Sequence, residues 1–107
     1  MPVQSTEFTP LVAVQQRVRV VNPVSVRLAS GYSRELRAGS LWQPVGHISQ
    51  GNVLRPVGFV FTIEGRQVHE AYLVIKANTL VGFFLPGESR FSPLNPPQPI
   101  TIERTDD

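Results

Sequence analysis

The sequence predicts an all-β domain, a small antiparallel barrel or sandwich of SH3-like size with about 6–8 short strands. Ten prolines and eight glycines punctuate the chain at short intervals, and valine, isoleucine, threonine and aromatic residues fill the gaps. No window of eleven or more residues keeps a helical period without a proline or glycine inside it. The pattern is strongest in a central meander over residues 53–63, 68–75 and 80–85.

Residues 1–10 are polar and proline-flanked, and read as a loose arm. A strand is expected over residues 11–21: Val12, Val14, Val18 and Val20 fall on one face, and Gln15, Arg17 and Arg19 on the other. Asn22-Pro23 is a turn signal. Val24, Val26 and Leu28 then alternate with Ser25 and Arg27. After a loop at residues 29–33, residues 34–37 suit a short strand or a single helical turn. Ala38-Gly39-Ser40 turns the chain again. Residues 41–48 form a weaker strand that Pro44 interrupts, which places it at a sheet edge.

The sequence SQGN at 49–52 turns into residues 53–63, where Pro56 bends the strand or marks its unpaired side. Beyond Gly65-Arg66 come residues 68–75, a turn at 76–79, residues 80–85 and a stop at Pro86-Gly87. Residues 91–94 suit one more short strand, and NPPQP at 95–99 a polyproline-like connector. Ile100 and Ile102 suggest a last edge strand. This makes one domain over residues 11–104, followed by an acidic tail at 105–107.

Registers decide which side chains meet. A two-residue Gly65-Arg66 loop fits a type II′ hairpin. It pairs Ile63 with Val68, Thr62 with His69, Phe61 with Glu70 and Phe59 with Tyr72. A turn centred on Ala77-Asn78 pairs Ile75 with Leu80, Leu73 with Gly82 and Tyr72 with Phe83. Both faces of the meander are then apolar and both need a cover. The domain interior takes one; the terminal arm, a loop or another chain takes the other. Phe59, Tyr72 and Phe83 line up as an aromatic row, which suits core packing or a stacking platform for bases and sugars. No basic residue of the meander shares that face, so packing is expected. Leu73 lies between Gly58 and Gly82, a hollow that Trp42 or a partner's side chain fills.

The chain of 107 residues has no cysteine, which excludes thiol nucleophiles and cysteine-held metal centres. Its formal net charge of +2 is too small to argue for nucleic acid. The basic residues are nine arginines and Lys76. That skew reflects either the codon usage of a GC-rich genome or a need for bidentate guanidinium groups. MPVQSTEFTP has no apolar signal core, and residues 80–85 are too short to span a bilayer. A cytoplasmic protein is expected as the chain stands, or a periplasmic one if a targeting segment was trimmed.

The richest acid–base stretch is EGRQVHEAY, Glu64 to Tyr72. His69 and Glu70 are adjacent on a strand, face opposite sides and form no dyad. His69 reads as a satisfied or surface histidine. Glu70, between Phe61 and Leu85, must lie at a rim, pair with an arginine or be protonated. His47 and His69 alone make no metal site. No phosphate-loop, dinucleotide, nucleophile-elbow or zinc-protease motif occurs. The expectation is therefore a protein that is not an enzyme, with no catalytic residue, metal or cofactor. If residues 11–21 and 25–28 pair through a three-residue turn, Arg19 opposes Arg27 with Arg17 nearby. Like charges directly opposite are unfavourable. Either the strands are not neighbours, or the side chains splay into solvent, or an anion or acidic partner offsets the repulsion.

Residues 41–86, from LWQPVGHISQGN to VGFFLP, resemble uncharacterised small proteins carried by integrative and conjugative elements. The resemblance lies in overall texture, covers under half the chain and carries over no functional residue. It implies an accessory role in a bacterial transfer or secretion assembly. The leading expectation is a protein-binding or assembly module that meets a protein partner or a second copy of itself. The alternative is a nucleic-acid-binding barrel using Arg17, Arg19 and Arg27, with Arg34 and Arg37 as further candidates.

Overall fold

The computed structural model describes residues 4–28, 31–64 and 67–105. Among them are thirteen strand segments, all paired antiparallel, and no helix. Two short pieces, β1 (Gln4–Ser5) and β2 (Thr9–Pro10), belong to the arm. Then come β3 (Val18–Val20), β4 (Val24–Arg27), β5 (Ser33–Leu36) and β6 (Leu41–Ile48). The middle of the chain gives β7 (Gly51–Pro56), β8 (Thr62–Glu64), β9 (Val68–Glu70) and β10 (Tyr72–Lys76). The last strands are β11 (Thr79–Leu85), β12 (Arg90–Pro99) and β13 (Ile102–Arg104).

Nine segments make one sheet in the order β1-β12-β11-β10-β7-β6-β3-β13, with β2 also paired to β6. Hairpins β4–β5 and β8–β9 stand apart as two-stranded sheets. Val24, Val26, Leu28 and Leu36 of the first, and Ile63 of the second with Phe61 just before it, share a core with Trp42, Leu54, Leu73 and Phe83 of the large sheet. The architecture is an all-β sandwich in which the hairpins cover one sheet face. The alternating burial of Val18, Val20, Val24 and Val26 is what a strand with one wet face produces.

The expected strand over residues 53–63 is two strands. Pro56 brings no N–H to continue the ladder, and Gly58 takes a left-handed φ of 82°. The chain bends over residues 57–61, so β7 pairs directly with β10, and β8–β9 lifts off the meander. Residues 68–75 likewise divide at Ala71 into β9 and β10. Glu64 pairs with Val68 and Thr62 with Glu70, one residue off the expected register, leaving residues 65–67 between the paired positions. The expected Gly65-Arg66 turn itself lies outside the described residues.

The other turn forms as expected. Ser49-Gln50 joins β6 to β7, and Ala77-Asn78 joins β10 to β11. Ala77 and Asn78 have φ of 51° and 59°, the paired left-handed residues of a type I′ hairpin. Ile75 meets Leu80 as expected, but a bulge at Val81 then shifts the register, so Leu73 meets Phe83 and Tyr72 meets Phe84. An alanine at a left-handed position is strained. Ala77→Gly is expected to stabilise the protein by about 0.5–1 kcal/mol in urea unfolding. An unchanged or lower midpoint would contradict the strain.

Three further elements depart from expectation. Residues 11–17 are irregular, and only Val18–Val20 of that stretch is strand. β6 is interior rather than at an edge, flanked by β7 on one side and by β3 and β2 on the other. Pro44 is tolerated there because the β6–β7 ladder already shifts at a bulge between Pro44 and Gly46. Residues 91–99 form one strand, with the proline-rich stretch at its far end paired to β11 through Gln98 and Pro99. The last strand, β13, lies at the sheet edge beside β3 as expected. Thr105, expected in the acidic tail, is buried; Asp106 and Asp107 lie outside the described residues.

The second apolar face has its own small core of Ile48, Val53, Val74, Phe84 and Phe91. Its cover is the arm. Residues 4–10 are docked rather than loose: β1 pairs with β12, β2 pairs with β6, and the Phe8 ring stacks on Phe84 at 5.2 Å. A Cβ added to Gly46 would lie 2.6 Å from the Phe8 ring, so glycine makes the seat.

Candidate functional site

Among the described residues a groove of about 750 Å³ lies between the segment running from β5 into β6 and the bend that joins β7 to β8. That volume lies in the range of small-ligand and peptide-anchor sites. Leu36 and Trp42 form its floor, both buried, and the bend contributes Phe59 and Val60. Phe59 meets Trp42 edge-on at 5.2 Å, and Phe61 does so at 5.8 Å. Phe59 nonetheless stays 41% exposed and Val60 72% exposed. These two residues leave the core because Pro56 and Gly58 end β7 before them.

A polar relay fixes the near wall. The Trp42 Nε1–H donates to Ser40 Oγ at 3.0 Å, and the Ser40 hydroxyl donates to the Arg37 carbonyl at 2.7 Å. Gly39, with φ of 86°, lets the chain turn there, and its N–H donates to the Val20 carbonyl at 2.7 Å. At the far end, Arg34 ties the two hairpins together. Its Nε–H donates to the Thr62 carbonyl at 3.0 Å, and its guanidinium forms an ion pair with Glu64. Among the described residues β5 has a strand partner, β4, on one side, while the Thr62 carbonyl of β8 is already taken by Arg34. Unpaired strand edges are what an extended peptide adds to.

The residues singled out in the sequence scatter. Arg19 pairs with Glu103 at 3.1 Å, and its backbone neighbours are Leu41 and Glu103, not Arg27. Arg27 lies opposite Ser33 in the separate β4–β5 hairpin, and the Arg17 side chain is exposed. The expected arginine stripe is therefore broken by topology: β3 and β4 are consecutive in sequence but belong to different sheets. Gly58 is at the open bend, with nothing within 4 Å of its missing Cβ. It does not flank Leu73, which lies between Leu54 and Phe83. The hollow at Gly82 is filled by the Phe91 ring, not by Trp42. The expected aromatic row also disperses: Phe59 goes to the groove, Phe83 to the main core and Tyr72 to the second core.

Glu70 lies opposite Thr62, exposed to solvent, rather than between Phe61 and Leu85. This is the rim position that a carboxylate favours. His69 and Glu70 form no pair. Instead His69 Nδ1 lies 2.7 Å from Oε1 of Glu88, on the turn after β11. Neither residue lines the groove. The ion pairs of Arg34 and Glu88 were not legible in the sequence, because their partners lie many positions away and depend on how the hairpins fold back. His47 is exposed, and no group of three or more histidine or acidic residues gathers among the described residues. No helix among them is long and apolar enough to cross a membrane.

No protein-family model, curated protein or solved structure matches this chain.

Proposed function

We propose that the protein is a non-enzymatic binding module, and that the groove over Trp42 receives a short extended segment of a partner protein. The observation that carries this reading is the exposed Phe59-Val60 rim above a buried tryptophan, beside β5, which among the described residues has a strand partner on one side. Aromatic anchors within a packed wall are the usual centres of binding energy, and free edges supply backbone hydrogen bonds. An assembly role accords with the resemblance of residues 41–86 to accessory proteins of mobile elements. The dispersal of Arg17, Arg19 and Arg27 weighs against the nucleic-acid alternative, because two of the three are not neighbours and one is already paired.

Trp42 is the single tryptophan, so its emission reports on the groove directly. Selection of displayed random peptides on the full chain is expected to give binders with apolar residues two positions apart, and these shift Trp42 emission. Val60→Asp changes an exposed side chain and is expected to weaken such binders at least about tenfold while leaving the unfolding midpoint unchanged. Failure to select any binder, or binders indifferent to Val60→Asp, would remove the reading.

A further inference from the structure

Residues 11–17 arch away from the sheet. Pro10 pairs with Gly46 and Val18 with Trp42, so seven residues, 11–17, span the interval that three, 43–45, span on β6. The arch is anchored rather than random. Leu11 N–H donates to the Val45 carbonyl at 3.1 Å, Gln43 Nε2 donates to the Gln15 carbonyl at 2.7 Å, and Gln16 reaches the Thr105 carbonyl. At its crest Val12 and Val14 are fully exposed, at 106% and 93%. A β-branched alternation held out of any ladder is a conflict between local preference and tertiary setting. The two valines, with Leu11 partly buried beside them, give the arch an apolar crest.

We propose that the arch of one copy docks in the groove of a second copy, so that the protein associates with itself arch to groove. The inference rests on the groove reading above and names the occupant. Val12 and Val14 both stand exposed on the arch, and the groove offers them Trp42, Phe59 and Val60. The charges also match. Arg17 closes the arch beyond Val14, and Glu35 lines the groove. Both are exposed, and neither belongs to the ion pairs at Arg19, Arg34 and His69. Docking sets Arg17 beside Glu35. Arch and groove are different surfaces, so the contact closes as a reciprocal dimer or continues as an open chain.

The test is sedimentation of the full chain across concentration, with variants at exposed positions. Self-association of the wild type is expected, weakened at least about tenfold by Val14→Asp or by Val60→Asp. An equal mixture of the two variants is expected to form a one-to-one complex, since one supplies an intact groove and the other an intact arch. Arg17→Glu is expected to weaken association, and Glu35→Arg in the same chain to restore it. A mixture that stays monomeric overturns the proposal. So does loss with Val14→Asp but not with Val60→Asp, which would mean that arch pairs with arch. A wild type that stays monomeric while selected peptides still shift Trp42 emission removes this inference and leaves the groove reading standing.

Discussion

Trp42→Ala is expected to lower the unfolding free energy by about 4 kcal/mol. The side chain is 1% exposed and contacts both Phe59 and Phe61 edge-on. It is also a polar anchor, because its Nε1–H holds the Ser40 hydroxyl, which in turn holds Arg37. Truncation removes packing from the main core, leaves a cavity and frees the near wall of the groove. Trp42→Phe keeps most of the ring and drops only the donor, so a loss of about 1–2 kcal/mol is expected. Urea unfolding followed by circular dichroism measures both, since the tryptophan signal is gone. A loss under about 1 kcal/mol for the alanine variant would mean that the floor is not packed as described.

Gly46→Ala comes next, with an expected loss of about 2–3 kcal/mol. The new methyl group would lie 2.6 Å from the Phe8 ring and closer still to the Thr9 carbonyl oxygen. The latter belongs to β2, so the clash cannot be relieved by rotating one flexible side chain. Relief requires the arm to lift, which uncovers Phe84, Val53 and Val74. Phe8→Ala removes the same cover from the other side. The two substitutions share one contact and are expected to be non-additive: in the Phe8→Ala background, Gly46→Ala costs less than about 1 kcal/mol. Equal costs in both backgrounds would show that Gly46 serves some purpose other than seating the arm.

The fold class was legible in the sequence because it depends on period and punctuation, which are local. The alternation at Val24, Val26 and Leu28 and the turns at Ser49-Gln50 and Ala77-Asn78 come out as expected. So does the need to cover both faces of the central meander. What failed was register beyond each turn. A single bulged residue, Val81, moves every later pair on β11 by one, and nothing in its side chain announces the bulge. Pro56 and Gly58 were both visible, yet their joint effect was not. Together they break one long strand and expel Phe59 and Val60 from the core, which creates the groove rim.

The candidate site was legible only in part. Trp42 was singled out, but as the filler of a hollow beside Leu73, because the uncorrected register put Gly58 and Gly82 next to that leucine. Arg34 could be placed in a strand, while its bonds to Thr62 and Glu64 depend on two hairpins meeting in space. The arginine stripe failed for a topological reason. Adjacent segments of sequence pair with each other most of the time, but β3 pairs with β6 and β13, and β4 with β5.

The groove reading is tested most directly by mapping backbone amide shifts of the full chain as a selected peptide is added. The largest shifts are expected over residues 36–42 and 57–61, with Trp42 Nε1–H among them, and little change at Arg19 or Arg27. Shifts centred on the arginines, with residues 36–42 and 57–61 unmoved, would contradict it.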